Sequence, residues 1–250
     1  MSHDKTPTAH QVRQALHAQQ DPARALSSAR FFKTGKGQYG EGDRFLGLTV
    51  PAQRTIARAH RGLPLPEIEA LLASAIHEER LTALLILVDA YARGDEEVKR
   101  ACFDLYLRNL AWVNNWDLVD SSAHLIVGDW LLTRDRRLLR ELSGSKILWE
   151  RRVAMIATLA FIRAGESEDA LAIAALLLGD SHDLMHKAVG WMLREVGKRA
   201  GEGTLRGFLK EHAGEMPRTA LRYAIEHFPE AERKAWREVK RRAVGEREEG

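Results

Sequence analysis

The chain has 250 residues, 45% hydrophobic and 29% charged, with a formal net charge of +3 and a pI of about 9.1. That is enough apolar material for a sizeable core, and a charge too mild to name a partner unless the cations cluster on one face. The single cysteine, Cys102, excludes an internal disulfide framework; no run approaches the length of a membrane span; Met1 to Pro7 hold no apolar core, so a cytoplasmic chain without signal peptide is expected.

Nearly every segment has helical period, and no alternating strand stands out. Helices are predicted at about 8–19 and 22–32, the second started by Asp21 as N-cap with Pro22 in the first turn. Residues 33–48 are glycine-rich and read as a loop. Further helices are predicted at 51–60, 66–76, 78–93, 95–111, 115–132, 135–142 and 147–164. The series ends with 167–178, 182–199, 203–212, 217–227 and 230–243. Short polar breaks between amphipathic helices imply antiparallel neighbours. The pairs recur at roughly 35–45 residues, the period of HEAT-like repeats. The expected fold is therefore all-α, a curved α-solenoid of HEAT-like repeats whose concave face binds something extended. It reads as one domain over 1–250, with loose tails at about 1–7 and 244–250. The segment 230–250 interleaves Glu with Lys and Arg, the pattern of a solvated helix.

Three polar or aromatic positions break the helical rules. At about 100° per residue, Trp116, Val119, Asp120, Ala123, Val127 and Trp130 share a face, so Asp120 lies inside an apolar stripe while Asp117 points elsewhere. A carboxylate there loses hydration and needs a partner or a task. Arg152 emerges in the same way among Trp149, Val153, Ile156 and Leu159. On the next long helix Met185, Val189, Met192 and Val196 form the core line. Trp191 projects opposite with Lys187, Arg194 and Lys198. An aromatic among cations suggests a nucleic-acid contact surface. Blander assignments stand beside these: a buried Asp120–Arg152 ion pair, a half-buried packing role for Trp191, and an ordinary solvated face for the cations.

Other motifs carry less. His182 and His186 share i, i+4 spacing with a zinc-binding pattern, but the acid between them is Asp183 and no third ligand follows, so no metal is expected. Gly35 to Gly40 lacks the Gly-Lys-Ser/Thr ending and preceding strand of a phosphate loop. Cys102, in step with Val98 and Leu105, reads as a buried small hydrophobe.

The segment Asn115-Trp116-Asp117-Leu118-Val119-Asp120 resembles the W-D-x-V-D motif of the AlkD-type DNA alkylation repair proteins, HEAT-like-repeat DNA glycosylases. The stretches Phe45 to Pro51, Leu148 to Ala154, His186 to Glu195 and Met216 to Ala224 are similar to the same family, so the resemblance covers roughly 22–236. It implies excision of N3- or N7-alkylated purines from duplex DNA, without metal or organic cofactor and without drawing the base into a pocket. By motif, Asp120 takes the catalytic aspartate's place, with Trp116 and Trp191 as the aromatic pair at the lesion's sugar and backbone. Arg152, Lys187, Arg194, Lys198, Thr49, Pro51, Arg218 and Arg222 fall in the DNA-contacting set. Where relatives can carry a second tryptophan, this chain has Asn115. A monomer acting on double-stranded DNA is implied, cytoplasmic and nucleoid-associated when bound. A catalytically silent DNA-binding relative and a helical protein-interaction scaffold are the alternatives.

Overall fold

The computed structural model describes residues 6–248, with side chains for 6–239. Of the tails expected to be loose, residues 1–5 and 249–250 lie outside the described residues. The described chain is all-α, the class expected from its periodicity, and the helices group into two compact units, Met1–Trp130 and Leu131–Gly250.

The first unit contains α1 (Ala9–His17), α2 (Pro22–Phe31), α3 (Val50–Ala59), α4 (Leu65–Leu72), α5 (His77–Arg93), α6 (Glu96–Arg108) and α7 (Trp116–Asp120). Local chemistry sets their starts. Thr8 and Gln11 form a reciprocal capping box on α1, Asp21 caps α2 ahead of Pro22, and Asp95 caps α6. The long α5 is the centre, in contact with α1, α3, α4, α6 and α7. It is buried nearly all round, as a helix without a solvent face should be.

A π-helical turn (His124–Gly128) leads into α8 (Asp129–Leu131). The second unit then contains α9 (Arg137–Ser143), α10 (Leu148–Ala157), α11 (Leu159–Arg163), α12 (Glu168–Leu176), α13 (Asp183–Arg199), α14 (Glu202–His212), α15 (Arg218–Ala224) and α16 (Glu230–Glu248). Its centre is α13, which packs on α10, α11, α12, α14 and α15. Gly190 lets α13 and α15 approach closely: a Cβ there would lie 2.4 Å from the Ala220 carbonyl oxygen and 2.5 Å from the Tyr223 Cβ.

Two helices that the periodicity makes continuous are broken. The span 115–132 divides after Asp120. There the Ser121 hydroxyl donates to the Asp117 carbonyl (2.7 Å) and the Ser122 hydroxyl to the Leu118 carbonyl (2.6 Å). The span 147–164 divides at Thr158, whose hydroxyl donates to the Met155 carbonyl (2.7 Å). Hydroxyls that bond back to carbonyls of the preceding turn bend helices, and hydrophobic periodicity does not register this.

Candidate functional site

Trp116 and Asp120 are the first and last residues of α7, a single short helix. Both are half-buried, while Leu118 and Val119 between them are fully buried. Of the residues expected on the same face, Val119, Ala123 and Val127 are fully buried, and Trp130 stacks on Phe103 (5.4 Å between centroids). The Asp120 charge acts on a second buried group: burial first, and then this carboxylate, push the Tyr106 phenol above its ordinary range. The Tyr106 hydroxyl pairs with that of Ser122 at 3.0 Å.

A side-chain cluster that sequence reasoning missed lies beside α7. The first four residues of α5, His77-Glu78-Glu79-Arg80, are each at most 2% exposed, and every one has polar partners. His77 Nε2 lies 2.8 Å from Asp117 and its Nδ1 3.1 Å from Asp43. Arg80 donates to the other oxygen of Asp43 (2.6 Å) and to the Ser74 carbonyl (2.8 Å). Glu78 accepts the backbone N–H groups of Leu46, Gly47 and Leu48 at 3.0, 2.7 and 3.2 Å. Glu79 pairs with Arg13 (3.0 Å) and His17 (3.3 Å).

Burial alone would push the His77 imidazole down, but the bonds to Asp117 and then Asp43 outweigh it and raise it to about 9. Asp43 moves the other way: burial opposes ionisation, and the His77 bond together with the Arg80 charge holds it below its ordinary value. The available signal was four consecutive polar residues opening a helix that continues Leu-Thr-Ala-Leu-Leu-Ile-Leu-Val. A core-facing helix opened in that way has to supply partners for each of them.

The loop held by Glu78 leads into two of the expected DNA-contact residues. Gly47 has φ +87°, and a Cβ on it would lie 2.2 Å from the Asp21 carbonyl oxygen, so only glycine fits against α2. Thr49 then caps α3, accepting from the Ala52 N–H (3.4 Å), and Pro51 is exposed in the first turn. The glycine-rich stretch before it turns its amides inward, Gly35 N–H to Gln38 and Gly37 N–H to Glu41.

In the second unit Arg152 is 4% exposed and donates to the Leu184 carbonyl at the start of α13. Its neighbour Arg151 pairs with Asp180 (2.6 Å). His182 and His186 also serve the beginning of α13: the His182 ring accepts from the Leu184 N–H, and His186 donates to the Asp180 carbonyl. Trp191 is half-buried opposite the fully buried line Met185, Val189, Met192 and Val196, as the spacing required. Of the cations grouped with it, Lys187 pairs with Asp183 (2.8 Å), Arg194 pairs with Glu226, and Lys198 is exposed. Arg218 and Arg222 are exposed on α15. Cys102 is fully buried, and burial pushes its thiol up to about 11, the behaviour of a packing residue.

Among the described residues no group of three or more His, Cys, Asp or Glu could hold a metal ion, and no helix is long and apolar enough to cross a membrane. Helices packed side by side through short polar turns, with an indole and a carboxylate on one isolated turn, define a helical-repeat protein. The family model for the DNA alkylation repair enzyme matches residues 12–228, and the chain belongs to that family; its role lies in DNA alkylation repair. A solved structure described as a predicted DNA alkylation repair enzyme from Enterococcus faecalis is similar in fold, with a TM-score of 0.67 at 20% identity. That similarity covers 85% of this chain and 98% of the other. No curated protein matches the chain.

Proposed function

We propose that the protein is a DNA glycosylase that releases positively charged N3- or N7-alkylated purines from duplex DNA. The observation that carries this reading is the half-buried Trp116–Asp120 pair on α7 in a member of the DNA alkylation repair family.

The chemistry suits such a pair. An alkylated purine already bears a positive charge, so when its bond to the sugar C1′ breaks, the electron pair neutralises the departing base and no strong general acid is required. Positive charge develops instead across C1′ and the ring oxygen of the deoxyribose. The Asp120 carboxylate stabilises that charge, orients the attacking water and takes its proton, leaving an abasic site. Indole faces favour a cationic sugar, the role assigned by the motif to Trp116 and Trp191. Lys187, Arg194, Lys198, Arg218 and Arg222, with Thr49 and Pro51 at the start of α3, hold the flanking backbone, so binding is salt-dependent; Arg152, expected in the same set, is buried against the Leu184 carbonyl and supports α13 instead. No cofactor enters this scheme, and we infer a cytoplasmic monomer that joins the nucleoid when bound to DNA.

The test is release of 7-methylguanine from methylated duplex DNA by the wild type and by Asp120→Asn. The expected result is loss of about 10²–10³-fold in the rate of release, the scale for removing one group aimed at transition-state charge, with DNA affinity nearly unchanged. A wild type that binds duplex DNA and releases nothing would establish a silent DNA-binding protein in place of the enzyme. Binding that ignores salt would point to a protein scaffold.

A further inference from the structure

With five residues, α7 is one turn of helix, too short to hold its own shape in water. The orientation of Trp116 must therefore be imposed by its surroundings. Two polar ties fix the start of the turn: the N-cap Asn115 donates to Asp43 (3.2 Å), and Asp117 meets His77 (2.8 Å). A stack of rings fixes the indole. Trp116 lies nearly parallel to Phe32 (5.4 Å, 20°) with Phe31 edge-on at 6.0 Å. Phe32 in turn meets Phe45 (5.2 Å) and His77 (4.7 Å), and Phe45 stacks on His77 (4.8 Å, 23°). One side chain belongs to both systems.

We propose that His77 is a positioning residue for Trp116: bridging Asp43 and Asp117 through its two ring nitrogens while stacking on Phe32 and Phe45, it sets the first turn of α7 and the plane of the indole. The inference rests on the glycosylase reading only where it concerns base release. The geometry carries it. Each ring nitrogen faces a carboxylate, and only the imidazolium can donate in both directions. A neutral ring would turn a lone pair toward one of the two anions.

The charged groups facing the ring are Asp43 from the loop before α3, Asp117 from α7, and Arg80 from α5 itself. Two anions and two cations balance when His77 is protonated. Loss of that proton leaves a buried excess negative charge and sets a ring lone pair against one carboxylate, a repulsion the ring relieves by turning. Phe32 and Phe45 lean on that ring, and Trp116 leans on Phe32, so the indole shifts with it. Asn115, which stands where relatives can carry a tryptophan, has its amide committed to Asp43, and so it is part of the same polar support.

The experiment labels the full chain with 5-fluorotryptophan and follows the Trp116 resonance by ¹⁹F NMR, assigned by its disappearance in Trp116→Phe. In the wild type this resonance is expected to titrate with a midpoint near pH 9, where His77 loses its proton. In His77→Gln it should be displaced and flat between about pH 7 and 10. In Asp117→Asn the midpoint should fall toward the ordinary histidine range, which keeps the test alive if His77→Gln does not fold. A wild-type resonance that stays flat through pH 9, or one that titrates equally in His77→Gln, overturns the proposal.

Base release is measured on the same samples. His77→Gln is expected to slow single-turnover release about 10- to 100-fold, the effect of a small misplacement at a reacting centre, with DNA affinity held. If the wild type releases no base while its Trp116 resonance titrates as stated, the glycosylase reading fails and the positioning role stands. If base is released and the resonance is flat, the reverse holds.

Discussion

The two central helices treat charge in opposite ways. α5 opens with four polar residues and buries all of them, each tied to a loop or to a neighbouring helix. α13 has a fully buried apolar line on one side and leaves Lys187, Arg194 and Lys198 on the other, half-buried or exposed. Buried charges with directional partners fix geometry, because moving any of them leaves another unpaired in a poorly hydrated place. Exposed charges fix little, yet they attract a polyanion at long range. One helix thus holds the start of α7 and the loop 46–48 in place, while the other leaves cations toward solvent, the face proposed above to meet a phosphate backbone.

The sharpest way to break that comparison is through α5. Glu78 neutralises three backbone N–H groups at once, so Glu78→Ala strands all three along a segment that only Gly47 lets lie against α2. The expected cost is about 3–5 kcal/mol, the scale for removing one partner of a buried charged network. Urea unfolding monitored by circular dichroism measures it. A loss below about 1 kcal/mol, the size of an exposed pair, would mean that the carboxylate is no clamp.

Much of this organisation was legible in the sequence. The all-α class, Asp21 as the cap of α2, the buried line of α13 and the outward Trp191 all follow from periodicity and capping rules. The α5 cluster was not legible, for a physical reason. His77 meets Asp43 and Asp117, 34 and 40 residues away, and Glu78 meets amides 30 to 32 residues away; all but Asp117 lie on a loop with no periodicity to place it. The break after Asp120 was hidden too. Ser121 and Ser122 look like tolerable helix residues until their hydroxyls take the carbonyls of the preceding turn. Asp117 points away from the Asp120 face, as its spacing requires, but no sequence signal reveals that its partner is His77.

Protonation offers a second handle on α5. The folded-state value of His77, about 9, lies above its ordinary 6.5, so its stabilisation is complete below pH 6.5 and is lost as pH rises through 9. The span corresponds to about 3 kcal/mol as an order of magnitude. Asp43 works in the other direction: held below its ordinary 3.8, it contributes fully above that pH and loses its contribution as pH falls further. The contribution of these two groups should therefore be flat from about pH 4 to 6.5 and decline toward 9. Thermal unfolding across that range checks it, and His77→Gln should remove the alkaline decline. A decline that persists in the variant belongs to another group.

The smallest effect is expected on α13, and there it should be confined to binding. Lys198 is exposed on the last turn of the helix, so Lys198→Ala should leave stability within about 0.5 kcal/mol. It should weaken duplex DNA binding evenly across sequences and lower the slope of log affinity against log salt by about one. Fluorescence anisotropy at several salt concentrations reads both quantities. Lys187 makes a graded control, since its pairing with Asp183 must be exchanged for a phosphate before it contributes. Its alanine variant should change the salt slope less than Lys198→Ala does. Equal slopes for both variants and the wild type would remove this face of α13 from the DNA contact, and with it the division of labour between the two helices.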